Sequence, residues 1–282
     1  MSTAGAPNPT LHSFVAFDTE TTGLSPVHDR IVELAAVAFR RDGSEIAVFE
    51  RLVNPGIPIP PEMTKIHGIS DEMVALEPAL ERILPEFMEF SRDAVMVAHN
   101  APYDVSMLLV PLLGMRDRSG VVPPENLVLD TCSLAKSTFP GAPSYRLQKV
   151  AHMLGVRHEQ AHRALSDVRA CKEIFLKILD ACGPAITLED LVKRNGSELH
   201  FGATREMLDR LPGGARQAAL LREALRTASD VLIRYQGGSK GPGPRRVTPI
   251  TLQAQAGALL LVAHCHLDRS IKNFRLDHVL EI

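Results

Sequence analysis

Residues 14–24 read FVAFDTETTGL. An apolar run from Phe14 to Phe17 ends in two carboxylates, Asp18 and Glu20, spaced two apart. A near-continuous apolar run is how a central strand covered on both faces reads. Side chains two apart on a strand point to the same face. The fold must therefore carry two acids side by side at the end of a buried strand, which costs a great deal of free energy unless something neutralises them. Oxygen-only ligands favour a hard cation such as Mg²⁺ or Mn²⁺. Gly23 then lets the chain turn tightly away.

Two further stretches offer the remaining ligands. VMVAHNAPYDVSML (95–108) runs from a strand through Asn100 and Pro102 to Asp104. Asp104 falls in the first turn of an expected helix, where a carboxylate gains about 0.3–1 kcal/mol from the helix dipole. Taken alone, that is reason enough for an acid there. HRALSDVRACKEIFLKIL (162–179) carries His162 and Asp167. Asp167 lies at the edge of an apolar helical face formed by Val168, Cys171, Ile174, Phe175 and Ile178. A separation of five residues is about 140° around a helix. His162 and Asp167 therefore converge only if His162 precedes the helix or lies in its frayed first turn. Alone, His162 reads equally well as an exposed loop histidine. Together, four acids and one histidine form a two-metal set. Such ions sit roughly 3.5–4 Å apart and stabilise the attacking and leaving oxygens of a displacement at phosphorus. A histidine, with an unperturbed pKa near ~6.5, suits proton abstraction from the attacking water.

The chain has 282 residues, comfortable for two domains. Its four cysteines (Cys132, Cys171, Cys182, Cys265) are far apart and form no C-x-x-C pair, so they read as reduced. MSTAGAPNPT lacks a basic region followed by an apolar one, and no apolar run is long enough to span a bilayer. A cytoplasmic protein with no membrane partner is expected. The net charge of −2 hides an asymmetry: residues 183–282 hold 14 Lys and Arg against 10 Asp and Glu, and the remainder 17 against 23. The weakly basic half falls short of a strong nucleic-acid footprint.

Residues 1–12, small and polar, are expected to be a disordered tail. Strands are expected near 13–19, 31–40 and 45–54, joined by short turns into a meander. A Pro-rich loop covers 55–63, and helices follow near 71–77 and 78–91. Strands at 94–98 and 127–129 alternate with helices, implying a mixed sheet with helices packed on it. The first domain ends near Cys182-Gly183-Pro184. Residues 183–216 are expected as a helical linker, and 217–228 as an amphipathic helix. Strands at 231–235, 245–254, 258–265 and 273–282, with a flexible tip at 236–244, make a small β unit over 217–282.

The stretches DTETTGL, VAHNAPYD and HRALSD resemble the three motifs of the DnaQ-like 3′–5′ exonucleases of the DEDD superfamily. The His162-x₄-Asp167 spacing matches the histidine subclass. KIHGISDEM, DTCSLAK and SYRLQKVAHMLGV also resemble this family, especially the proofreading epsilon subunits of bacterial replicases. The resemblance covers residues 13–180. It implies an RNase H-like α/β fold, a mixed sheet with flanking helices. It implies Asp18, Glu20, Asp104 and Asp167 as ligands of two Mg²⁺ or Mn²⁺ ions, and His162 as general base. It implies that Thr21, Leu24 and His67 contact the 3′-terminal nucleotide, with Asn100 and Tyr103 beside them. His99 and Asn100 also read as braces for the second motif, and Tyr103 as a stacking or packing residue. The implied activity is hydrolysis of phosphodiester bonds at 3′ ends, single-stranded DNA being favoured, with a DNA polymerase or repair complex as partner. An RNA 3′-end exonuclease is the alternative within the same fold.

Residues 217–282 resemble a WYL domain, a small Sm- or SH3-like β-barrel, through LLREAL, VLIRY, RRVTP, GALLLVAHC and NFRLDHV. The Trp-Tyr-Leu triplet is replaced by Leu259-Leu260-Leu261, so an aromatic platform for base stacking is missing. Arg245, Arg246, Arg269 and Arg275 are candidate phosphate contacts or, equally, a solvated basic face. A third reading is a sensing protein in which this unit carries the biology and nuclease activity is secondary.

Overall fold

A computed structural model describes residues 13–119, 124–158, 161–211, 214–236, 243–255 and 258–282. The apolar run becomes β1 (Phe14–Thr21). β2 (Ile31–Phe39) and β3 (Glu45–Leu52) follow it as an antiparallel meander. The turn between β2 and β3 uses Gly43 at φ 87°, with the Asp42 carboxylate accepting from the Ser44 amide at 2.9 Å. Helices α1 (Pro61–His67), α2 (Asp71–Val74) and α3 (Leu80–Phe90) lead to β4 (Val95–Ala98), which lies parallel to β1. Helix α4 (Pro102–Ser119) returns the chain to β5 (Leu127–Asp130), parallel to β4. Helices α5 (Thr131–Thr138), α6 (Leu147–Met153) and α7 (Ala164–Cys182) complete this half.

Alternation along β1 divides the core. Val15 and Phe17 pack with Leu84 and Phe87 of α3 and Leu108 and Leu112 of α4. Phe14 and Ala16 pack on the other face with Ile174 and Phe175 of α7. The Phe14 ring lies 5.4 Å from Phe39 and 4.9 Å from Phe175, centroid to centroid. Full burial of one such ring contributes about 1.5–3 kcal/mol. Asp18 and Glu20 continue the parity of Phe14 and Ala16, so they face α7. This is the mixed sheet with flanking helices of an RNase H-like fold.

Some local expectations are corrected. The first strand runs past residue 19 to Thr21, because its ladder with β2 continues through both acids, with a bulge between Glu20 and Thr21. The expected 55–63 loop gives way at Pro61 to α1, with proline in the first turn, where its missing N–H costs nothing. The helix expected at 71–77 stops at Val74, ahead of Pro78. The tail at 1–12 lies outside the described residues, as does most of the 236–244 tip.

The second half begins with α8 (Leu188–Asn195), whose start is fixed by a capping box between Thr187 and Asp190. β6 (Glu198–His200) and α9 (Arg205–Asp209) follow. The stretch expected as a helical linker thus contains a strand. β6 pairs antiparallel with β5 on one side and with Gln253 and Ala254, near the end of a C-terminal strand, on the other. Leu199 and Phe201, at this junction, are fully buried in the nuclease core. Next come α10 (Ala215–Thr227), β7 (Val231–Tyr235), β8 (Pro244–Gln255), β9 (Ala258–Cys265), β10 (Ser270–Arg275), a 3₁₀ turn (Leu276–His278) and β11 (Val279–Glu281). The single strand expected over 273–282 is broken by that turn, which buries Leu276.

The C-terminal strands run in the order β11-β7-β8-β9-β10. No ladder joins β10 to β11 among the described residues, so hydrogen bonds do not close the expected barrel. Instead β8 divides one edge between β7 and β6, with an irregularity between Pro249 and Thr251 where proline lacks an amide. One eleven-stranded sheet results. All four cysteines are free thiols, and no described helix is long and apolar enough to cross a membrane.

Phe201→Ala should cost about 3–5 kcal/mol in urea unfolding of the whole chain. A loss below ~1 kcal/mol would mean that the 183–216 stretch is a dispensable linker.

Candidate active site

Asp18 and Glu20 project from the end of β1. Asp104 sits in the first turn of α4 and Asp167 in the first turn of α7. His162 lies just before α7, in the loop, with φ 66°. The requirement that it precede the helix is therefore met. Ligand atoms of Glu20, His162 and Asp167 all lie within 4.8 Å of one another.

Asp104, Asp167 and the neighbouring Glu33 are held by hydrogen bonds and ion pairs. Asp104 accepts from the Thr19 amide at 3.0 Å and the Thr19 hydroxyl at 2.7 Å. Thr19, between the two acids of β1, faces the opposite way and so ties α4 to the strand. Asp167 accepts from the His162 amide at 3.3 Å and meets His158 Nε2 at 2.6 Å. Glu33 of β2, directly across the ladder from Glu20, is almost wholly buried. It pairs with Arg163 at 2.7 Å and accepts from the Ala164 amide at 2.8 Å, which anchors the start of α7.

Burial and mutual repulsion dominate the electrostatics. Asp18 is held well above the usual carboxylate range by burial, and then by Asp104, Asp167, Glu20 and Glu33. Glu20 is pushed up to about 8 by burial and by Asp167, Glu33 and Asp104. Asp104 rises to about 7 through burial, opposed by its Thr19 bonds. Burial also raises Asp167, against the pull of His158. Among the described residues, Arg163 answers mainly Glu33 and offsets Glu20 only in part. Four such carboxylates fit hard divalent cations and little else.

The expected substrate residues divide. Leu24 is 74% exposed, at the rim of the loop after β1. The Thr21 hydroxyl lies 2.7 Å from both the Gly23 carbonyl and the Tyr103 hydroxyl, and Tyr103 donates to the same carbonyl at 2.9 Å. Tyr103 thus braces that loop. His67 ends α1 beneath Gly68, at φ 76°, and its Nδ1 accepts from the Ile69 amide at 3.0 Å. It is buried, which lowers its pKa, and its Nε2 meets no partner in good hydrogen-bond geometry, although the Thr21 backbone offsets part of that lowering. Asn100 is exposed at φ 67°, its amide donating to Asp130 at 2.8 Å. His99 is a brace, bound to Thr131 and the Tyr145 carbonyl at 2.8 Å each.

The C-terminal arginines are not gathered with these groups. Arg246 pairs with Asp230, Arg275 with Asp277 and Arg245 with Asp268, while Arg269 lies on an exposed turn. Sequence reasoning missed His158, Glu33 and Arg163. Glu33 carried a signal, as an acid inside an otherwise apolar strand; His158 carried none beyond lying four residues before His162.

Between about pH 5 and 8 the folded, metal-free protein keeps protons on Glu20 and Asp104 that the unfolded chain has released. The native state then binds more protons than the unfolded one, so stability falls as pH rises. In chelator, Tm should fall from pH 5 to pH 8, and millimolar Mg²⁺ or Mn²⁺ should restore more of it at pH 8 than at pH 5. A flat or rising Tm in chelator would contradict the shared charge.

The family model for Exonuclease (RNase_T) matches residues 15–175, and that for the WYL domain matches residues 217–282. The chain is 41% identical over 169 residues to DNA polymerase III subunit epsilon of Treponema pallidum, covering 59% of this chain and 76% of that protein. It is 43% identical over 175 residues to a DNA polymerase III subunit epsilon-like protein of Rhodobacter capsulatus, covering 60% and 24%. A PolC-type DNA polymerase III of Caldanaerobacter subterraneus is 41% identical over 167 residues, and the chain spans only 12% of its length. Among solved structures, Exonuclease X in complex with 5′ overhanging duplex DNA superposes with TM-score 0.52 at 28% identity, over 65% of this chain and 99% of that one. The nuclease domain of 3′hExo, a DEDDh family member bound to rAMP, shares the fold with TM-score 0.53 at 16% identity, over 61% and 94%. The three ordered motifs, the sheet that carries them and these matches agree: the chain belongs to the DnaQ-like DEDDh exonuclease family, whose members depend on divalent metal ions.

Proposed function

We propose that this protein is a 3′–5′ exonuclease that releases nucleoside 5′-monophosphates from single-stranded DNA. The observation that carries this reading is the meeting of Asp18, Glu20, Asp104 and Asp167 around the end of β1 with His162 alongside. Two Mg²⁺ or Mn²⁺ ions held by those four acids would supply charge stabilisation at the scissile phosphate and a more acidic bound water. His162, exposed and outside the helix, takes the proton as water attacks phosphorus and the 3′-oxygen of the shortened strand departs. Leu24 and Thr21 meet the terminal nucleotide, and the His67 Nε2 donor serves the same end. Tyr103 and Asn100 hold the surrounding loops. Relatives that are polymerase III subunits, and an Exonuclease X structure that holds DNA, support DNA over RNA, a polymerase or repair partner and a cytoplasmic place of work.

The division we propose is an exonuclease domain over 13–182, a connector over 183–216 and a WYL-like unit over 217–282. The order β11-β7-β8-β9-β10, with a 3₁₀ turn before the last strand, supports an Sm/SH3-like unit, here opened towards β6. Of its arginines, Arg269 is the best placed to meet phosphate.

The test is degradation of a 5′-labelled single-stranded DNA with Mg²⁺ or Mn²⁺, beside an RNA of the same sequence. A metal-dependent ladder should appear on DNA and vanish in Asp18→Ala, while His162→Gln should lower kcat about 10²–10⁴-fold. A ladder on RNA alone moves the substrate to RNA. No ladder on either overturns the reading.

A further inference from the structure

The loop that follows β1 is touched from outside the nuclease half. Ser25 Oγ lies 3.2 Å from Nε2 of His264, which is on β9 of the C-terminal unit. His264 is 1% exposed, and its Nδ1 is buried with no hydrogen-bond partner. An apolar residue would fill that position at lower cost, since an orphaned buried polar atom is destabilising. The contact with Ser25 is what the imidazole gains. The His28 ring, on the same loop, stands edge-on to His264 and His266 with centroids 5.7 Å and 6.4 Å away. His266 is fixed in turn by Thr248 and Asp230 at 2.8 Å and 3.1 Å. The loop therefore rests on a histidine wall presented by the end of β9 and the turn after it.

The loop itself is stiff. Asp29 accepts from the Ser25 amide at 2.8 Å, and the Thr22 amide donates to the Arg30 carbonyl at 2.8 Å. Gly23 lies so close to Asp29 that a Cβ there would come within 2.5 Å of its carboxyl carbon. A displacement at Ser25 is thus shared by the whole loop, including Leu24, its immediate neighbour, and Gly23, whose carbonyl both Thr21 and Tyr103 hold.

We propose that His264 of the C-terminal unit is a positioning residue for the exonuclease site: acting through Ser25, it sets the 22–30 loop and so the place of Leu24 over the 3′-terminal nucleotide. This rests on the exonuclease reading above. The C-terminal unit is then part of the nuclease's substrate grip through His264, a residue that does not itself touch the substrate.

The test is a cycle in the full chain: His264→Ala, Ser25→Ala and the double variant, with His264→Gln, whose amide nitrogen reaches where Nε2 does. On a single-stranded DNA oligomer, kcat/KM should fall about 3–10-fold in His264→Ala and Ser25→Ala alike, chiefly through KM. The double variant should lose no more than either single one, and His264→Gln should recover most of the loss. Losses that add, or a His264→Ala enzyme with unchanged kcat/KM, overturn the proposal. Hydrogen exchange of the 22–30 amides gives a readout free of activity: exchange should quicken in His264→Ala and not in His264→Gln. If the wild-type chain degrades nothing while exchange responds in this way, the exonuclease reading fails and the loop contact stands. If exchange is unchanged in His264→Ala, the contact does not position the loop and the proposal fails.

Discussion

The burial and mutual repulsion of acids at the end of β1 govern this structure. Asp18, Glu20, Asp104 and Asp167 are brought in from a strand and two helix starts, and Glu33 crowds them from β2. No compact fold assembles such a group by default. Three of the five acids are gripped: Thr19 holds Asp104, His158 holds Asp167, and Arg163 answers Glu33. Divalent charge bound there would recover stability that the cluster withholds, which would link cofactor binding to fold stability.

Much of this was legible in the sequence, for identifiable reasons. The buried run of β1 and the parity of Asp18 and Glu20 follow from strand geometry alone. The position of His162 followed from helix geometry, since five residues on a helix cannot converge. The support around the acids was not legible. His158 reaches Asp167 only through the path of the loop before α7, and Arg163 reaches Glu33 only because β2 pairs with β1. The first spans nine residues and the second 130, and neither is a spacing that a helix or strand pattern encodes.

The larger surprise lies in residues 183–216. Short helices and a Pro-Gly-Gly stop resemble a connector between separate bodies. Three residues, Glu198–His200, change that by adding an antiparallel strand to β5 and offering their other edge to β8. A strand of three residues leaves almost no periodicity to read. The same edge takes up Gln253 and Ala254 of β8, beyond the part of that strand that pairs with β7.

That shared strand also limits how the chain can be recombined. If 217–282 were a bead on a string, evolution or an engineer could exchange it for another module at any point in the linker. Here the outgoing module would uncover the edge of β6 that pairs with Gln253 and Ala254 of β8, and the incoming one would have to bring its own strand in register. The natural cassette is therefore the stretch from Gly183 onward, with β6 as its inherited adaptor.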